Sequence, residues 1–149
     1  MNRLVLLGTG CPAPSYRRFG PSTLIEINGE RYLFDTGSGV TQRLNELGLK
    51  SSDIDFVFIT HIHSDHIVDL YQLYISGWHQ GRNKPFKVIG PVGIKHFFTK
   101  QLESYYDELK LRKEYEMRPN EDGLNYEIIE IDDDFKFDKE YLSIKPFYV

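Results

Sequence analysis

The stretch Thr60-His61-Ile62-His63-Ser64-Asp65-His66 constrains this chain more than any other. It follows directly on the apolar run Phe56-Val57-Phe58-Ile59, which reads as a buried strand. Such a strand delivers whatever follows it to its C-terminal edge, where open α/β sheets assemble their sites. Three of the chain's five histidines and one aspartate fall there within six positions. Neutral imidazoles and a carboxylate suit a divalent cation such as Zn2+, and a catalytic site keeps one coordination position open for water. That much polarity at a buried strand end is costly unless a cation satisfies it.

The spacing refines the reading. In an extended segment His61 and His63 point to the same side and can grip one ion together. Asp65 and His66 come after a turn and lead into a helix expected to start at Ile67, whose N-terminus favours the Asp65 charge. Two ligands pointing one way and two displaced by a turn suggest two neighbouring ions, which clamp attacking and leaving oxygens between them.

The rest of the sequence sets bounds. A chain of 149 residues is long enough for one domain with a real core. A net charge of -4 implies no general polyanion-binding surface. Cys11 is the only cysteine, so no internal disulfide can form, and a reducing, cytoplasmic location is expected. Leu4-Val5-Leu6-Leu7 is too short for a signal-peptide core, and no segment approaches the length of a membrane span.

Local patterns predict strands at 3–7, 22–27 and 31–34, the last two joined by Asn28-Gly29, a strong hairpin signal. Asp35-Thr36-Gly37-Ser38-Gly39 is a polar turn in which Asp35 reads equally as a turn residue or a site carboxylate. Val40, Leu44 and Leu47 recur at helical spacing before Gly48. Leu70, Leu73 and Tyr74 suggest a second helix. Residues 77–85 form a polar loop holding Trp78, His79 and Arg82; 86–89 a strand; 92–109 a helix; and 110–123 a charged, weakly patterned segment. Strands are expected at 126–131 and 141–147. The last residues, 144–149, stop in a strand-like run without a closing turn; a fragment is the expected reading, an edge strand that ends the protein the alternative.

Four motifs stand in a telling order: Leu6-Leu7-Gly8-Thr9-Gly10, Leu33-Phe34-Asp35-Thr36-Gly37, the histidine cluster, and Gly90-Pro91-Val92-Gly93. Through them the chain resembles the metallo-β-lactamase superfamily, in its ribonuclease Z-like or arylsulfatase-like branch. The resemblance implies an α/β protein, an αββα sandwich with a dinuclear site at one edge. Residues 1–149 are expected to form the N-terminal part of a single such domain. It implies that His61 and His63 hold a first zinc and that Asp65 and His66 hold a second. Asp65 would also handle a proton as the catalytic carboxylate. Asp35 would stand behind the metals and orient ligating imidazoles. The family pattern needs a further histidine, a bridging aspartate and a final histidine. His79 in its polar loop and His96 in its helix do not occupy those places, and Asp132-Asp133-Asp134 reads as a solvated turn.

The expected activity is a zinc-dependent hydrolase, a phosphodiesterase of the ribonuclease Z-like type that uses a metal-bound hydroxide. The alternatives are an arylsulfatase-like or other ester hydrolase, or an inactive metal-binding fragment. Expected partners are a phosphodiester or other ester substrate, with precursor tRNA among the candidates, and a second copy in a homodimer; no membrane is involved. Two departures loosen the link to tRNA. Ile67-Val68-Asp69-Leu70-Tyr71 replaces the Gly-Leu-Pro-Gly common in that branch, and Ser38-Gly39-Val40-Thr41-Gln42 replaces Glu-Gly-Thr-Gln.

Overall fold

The computed structural model describes residues 2–116, 121–132 and 134–147. The chain begins with an antiparallel meander of β1 (Arg3–Gly8), β2 (Ser22–Ile27) and β3 (Glu30–Phe34). Asn28 and Gly29 both take positive φ, 50° and 85°, which gives the tight turn between β2 and β3 the twist of its strands. Three crossovers follow. α1 (Val40–Glu46) leads to β4 (Phe56–Phe58). α2 (Ser64–Ile67) and α3 (Leu70–His79) lead to β5 (Phe86–Pro91). α4 (Ile94–Ser104) and α5 (Tyr106–Tyr115) lead to β6 (Tyr126–Ile131). A short hairpin, β7 (Phe137–Lys139) and β8 (Leu142–Ile144), comes last.

The six-stranded sheet runs β1-β2-β3-β4-β5-β6, with β3 to β6 parallel. Strands added in sequence order by crossovers of one hand place the helices on one face. There Leu44, Leu70, Leu73 and Phe98 share a core with Leu24, Leu33, Val57 and Val88, all fully buried. The opposite face carries Tyr32, Phe58 and Ile89 under Phe137, Leu142 and Ile144 of the hairpin. The Phe137 ring meets Phe56, Phe58 and Tyr32 edge-on, with centroids 5.0, 5.3 and 6.0 Å away. The central strands β3, β4 and β5 are covered on both faces, which is why 56–59 reads as a continuous apolar run. The parallel arrangement also brings the C-terminal ends of four strands to one edge.

Several local expectations change. The helix expected over 92–109 is two helices, broken at Tyr105 (φ -102°, ψ 15°), whose ring stacks on Tyr71 at 3.9 Å. The second runs on to Tyr115 and buries none of its residues, so 110–115 shows no apolar period. α2 starts at Ser64, ahead of Ile67. β7 was not foreseen, and the strand expected over 141–147 shortens to β8. Tyr148 and Val149 of the terminal run, Asp133 of the acidic run and residues 117–120 lie outside the described residues.

The expected polar loop at 77–85 differs most. α3 continues to His79, Trp78 is buried, and Arg82 is only 2% exposed. Arg82 Nη2 donates to the carbonyls of Tyr74 (2.9 Å) and Gly123 (2.7 Å), and the guanidinium lies over the Tyr74 and Phe86 rings. Burial pulls its pKa down to about 10. Gly77 makes room for this cation, since a Cβ there would sit 2.3 Å from Arg82 Nη1. Inside an ordinary helix Gly→Ala adds about 1 kcal/mol of stability. Here Gly77→Ala is expected to lose about 1–3 kcal/mol by overpacking a pinned side chain. Urea unfolding decides the sign, and a stabilised variant overturns the account.

The hairpin is tied to the sheet by a polar clasp. Glu30 accepts hydrogen bonds from the hydroxyls of Tyr141 and Tyr32 and from Lys139 Nζ at 3.0 Å. Chiefly through the two tyrosine bonds its carboxyl is lowered from 4.5 to about 2. A depressed folded pKa gives stability that is fully present above the unfolded value and lost as pH falls through the folded one. The melting temperature of Glu30→Gln is therefore expected to lie below that of the parent at pH 6, with the gap closing between pH 4.5 and pH 2. A gap independent of pH would show that the carboxylate charge plays no part.

Candidate metal centre

β3 and β4 are parallel, with Phe34 paired to Phe58, so the residues after each strand leave the sheet side by side. Asp35 follows β3 and takes φ 60°, a left-handed conformation that Asp tolerates better than most residues. Its N–H still reaches the Phe58 carbonyl at 2.8 Å, which anchors the turn to β4. The turn passes tightly against the β1–β2 loop. Gly37 N–H donates to the Pro21 carbonyl at 3.0 Å, and a Cβ on Gly37 would lie 2.4 Å from the Gly20 carbonyl carbon.

The Asp35 carboxylate is 7% exposed and accepts from three groups. The Thr60 N–H reaches Oδ1 at 2.8 Å, the Thr60 hydroxyl lies within 3.0 Å of both oxygens, and His66 Nδ1 is 2.8 Å from Oδ2. His63, the N-cap of α2, is extended (φ -66°, ψ 145°), and the chain then turns into the helix. α2 places Asp65 in its first turn and is fastened to the Asp35 turn by Thr36 N–H donating to the His66 carbonyl at 2.7 Å. Asp69 continues the fastening. Its N–H donates to the Thr36 carbonyl, and its Oδ2 accepts from Gly39 N–H at 2.6 Å at the start of α1. Burial raises the Asp69 pKa, partly offset by the N–H groups of Gly39 and Val40.

This scaffold gathers the four cluster side chains. His61 Nε2 and His63 Nδ1 are 3.1 Å apart, His66 Nε2 and Asp65 Oδ2 are 3.7 Å apart, and the His61 and His66 ring centroids are separated by 4.0 Å. Burial, then the neighbouring imidazoles of His66 and His63, hold the His61 pKa below its ordinary value, which favours the neutral ring. Two nitrogens bound to one tetrahedral Zn2+ at 2.0–2.1 Å stand about 3.3 Å from each other. The His61–His63 spacing fits that edge. Among the described residues no three His, Cys, Asp or Glu side chains converge on a single point. Among the four cluster side chains the close donor contacts are the pairs His61–His63 and Asp65–His66.

A cavity of about 710 Å³ opens beside His61 and His63, walled by Phe34, Phe58, Ile131 and Phe147. A second, of about 340 Å³, joins Ser64 and Asp65 to Arg18 of the β1–β2 loop. The remaining histidines stand on other elements. His79 ends α3, with Nε2 3.0 Å from Arg112 Nη1, and His96 is exposed on α4. Sequence reasoning gave Thr60 and Asp69 no role. Thr60 was visible only as the first letter of the cluster, and Asp69 only as a departure from a family pattern.

The family model for Anti-Pycsar protein Apyc1 matches residues 2–139. A ribonuclease Z from Mycolicibacterium gilvum is 37% identical over 115 residues, which cover 75% of this chain and 40% of that protein. One from Mycobacterium marinum is 36% identical, with 75% and 41% covered. The chain thus spans about 40% of the length of the curated relatives it matches. Human tRNase Z, short form, superposes with a TM-score of 0.70 at 30% identity, over 87% of this chain and 44% of that one. The metallo-β-lactamase fold protein YhfI from Bacillus subtilis superposes with a TM-score of 0.69 at 17% identity, over 95% and 50%, and speaks for the fold alone. The chain belongs to the Anti-Pycsar protein Apyc1 family and carries a ribonuclease Z-like metallo-β-lactamase fold, of which it spans a part.

Proposed function

We propose that this chain carries half of the metal centre of a zinc-dependent phosphodiesterase. The observation that bears most weight is the 3.1 Å separation of His61 Nε2 and His63 Nδ1, close to the edge length of a zinc tetrahedron, beside a His66 ring held by Asp35. His61 and His63 would hold one ion and Asp65 and His66 a second. A divalent cation supplies Lewis acidity and acidifies the water it binds. The chain's own residues do the rest. Asp35 fixes the His66 ring through Nδ1, and the short helix α2 presents Asp65 where it can take or return a proton. An aromatic wall of Phe34, Phe58, Phe135 and Phe147 lines the cavity beside His61 and His63, where an apolar part of a substrate would rest.

Ribonuclease Z relatives and the human tRNase Z likeness support a phosphodiester substrate, with precursor tRNA one member of that class. The coverage of those relatives supports reading residues 1–149 as the N-terminal part of a single domain. Leu4 and Leu6, about 60% exposed on the hairpin side of the sheet, are apolar surface suited to a covering partner, in line with homodimerisation. Among the described residues no helix is long and apolar enough to cross a membrane. A cytoplasmic location is part of the same proposal.

A second reading, a metal-binding unit without turnover, is favoured by one observation: no three ligands converge on one point among the described residues. Two donors per ion leave most coordination to water and weaken affinity. Zinc analysis combined with turnover of an aryl phosphodiester, an aryl sulfate and a precursor tRNA separates the readings. The double variant His63→Ala, Asp65→Ala is expected to lose bound zinc and at least about a hundredfold of phosphodiester hydrolysis. Turnover that survives in the double variant sinks the phosphodiesterase proposal. Zinc bound without turnover of any of the three substrates selects the second reading.

A further inference from the structure

Thr60 is not among the ligands proposed above, yet its hydroxyl meets three polar atoms. Oγ1 lies 3.0 and 2.9 Å from Asp35 Oδ1 and Oδ2, and 3.0 Å from His61 Nδ1. A hydroxyl has one proton to donate and lone pairs to accept with, whereas a carboxylate only accepts. If Thr60 gave its proton to His61, its lone pairs would face both Asp35 oxygens at 2.9–3.0 Å with no hydrogen between them. The arrangement without that repulsion has Thr60 donating to Asp35 and accepting the Nδ1–H of His61.

A neutral imidazole protonated on Nδ1 keeps its lone pair on Nε2. In His61 that is the atom 3.1 Å from His63 Nδ1, on the side where a cation would sit. Asp35 does the same for His66 directly, by accepting from Nδ1. We infer that Thr60 is a positioning residue that relays the Asp35 carboxylate to His61 and fixes its Nδ1–H tautomer. One buried carboxylate then sets two imidazoles, one directly and one through a hydroxyl. The purpose of the relay rests on the metal reading above; its existence does not.

The relay has a consequence at His63. In the metal-free chain His61 Nε2 is an acceptor, so the proton in the 3.1 Å contact belongs to His63 Nδ1. A cation bound between the two rings needs that lone pair. His63 must then carry its proton on Nε2, while His61 and His66 keep theirs on Nδ1.

The test uses the full chain labelled with 15N-histidine, read by long-range 1H–15N correlation at a pH where the rings are neutral. The metal-free parent is expected to show His61 protonated on Nδ1, with only His63 changing tautomer when zinc is added. Thr60→Val keeps the branched shape and removes the relay. It is expected to shift His61 toward the Nε2–H form and to weaken zinc binding about tenfold in chelator competition. Thr60→Ser is expected to restore both. A parent in which His61 is protonated on Nε2 overturns the inference without any variant, and so does a folded Thr60→Val with unchanged tautomer and affinity. A parent that takes up no zinc sinks the metal proposal alone, and the tautomer spectra still decide the relay.

Discussion

The Asp35 carboxylate is the constraint around which the site is arranged. It sits where two parallel strands end and accepts from a backbone N–H, a hydroxyl and an imidazole. A carboxylate so buried is tolerable only when its lone pairs are filled by such donors. Its left-handed backbone directs the side chain across the end of β4, a conformation held by the hydrogen bond to Phe58. The energy stored there is of order 1–3 kcal/mol and is the kind of strain that concentrates at functional sites. Losing the carboxylate would leave Thr60 and His66 without the acceptor that orients them.

Much of this was legible in the sequence, and particular residues show why. The run 56–59 and the cluster after it announce a buried strand and a site at its end because both signals are local. Asn28-Gly29 announces its turn for the same reason. Asp35 was ambiguous, since a Gly-rich turn uses Asp whether or not a site is present. What decides its role is a partner 31 residues away, which no local pattern encodes. Arg82 falls in a stretch, 77–85, whose polar composition reads as a loop. Its burial depends on the carbonyls of Tyr74 and Gly123, and such backbone acceptors leave no mark in the letters. The break at Tyr105 is likewise tertiary, marked by its stacking on Tyr71.

The two faces of the sheet differ in how they are completed. Helices close one face with a continuous core. On the other, β7 and β8 cover the centre through Phe137, while Leu4 and Leu6 at the β1 edge stay exposed. The hairpin is too short to be stable alone. Its position rests on Phe137 among three aromatic rings and on the Glu30 clasp. The wall of the cavity beside His61 and His63 includes Ile144 of β8, so the clasp at Glu30 also helps to shape the surroundings of the candidate site.

The arrangement of Asp65 and His66 is not held by the helix that carries them. α2 has four residues, far below the length at which a helix supports itself. Its orientation comes from outside, through the Thr36–His66 backbone bond, the Asp69–Thr36 bond and the Asp35–His66 contact. All three lead back to the turn after β3. The 3.7 Å approach of Asp65 and His66 is therefore supported from that turn. The tight crossing of Gly37 over Gly20 belongs to the same support, because any side chain at Gly37 would push the turn off the sheet edge and carry α2 with it. A motif search sees the histidines; the physics that makes them a site lies about 25 residues upstream, at residues 35–39.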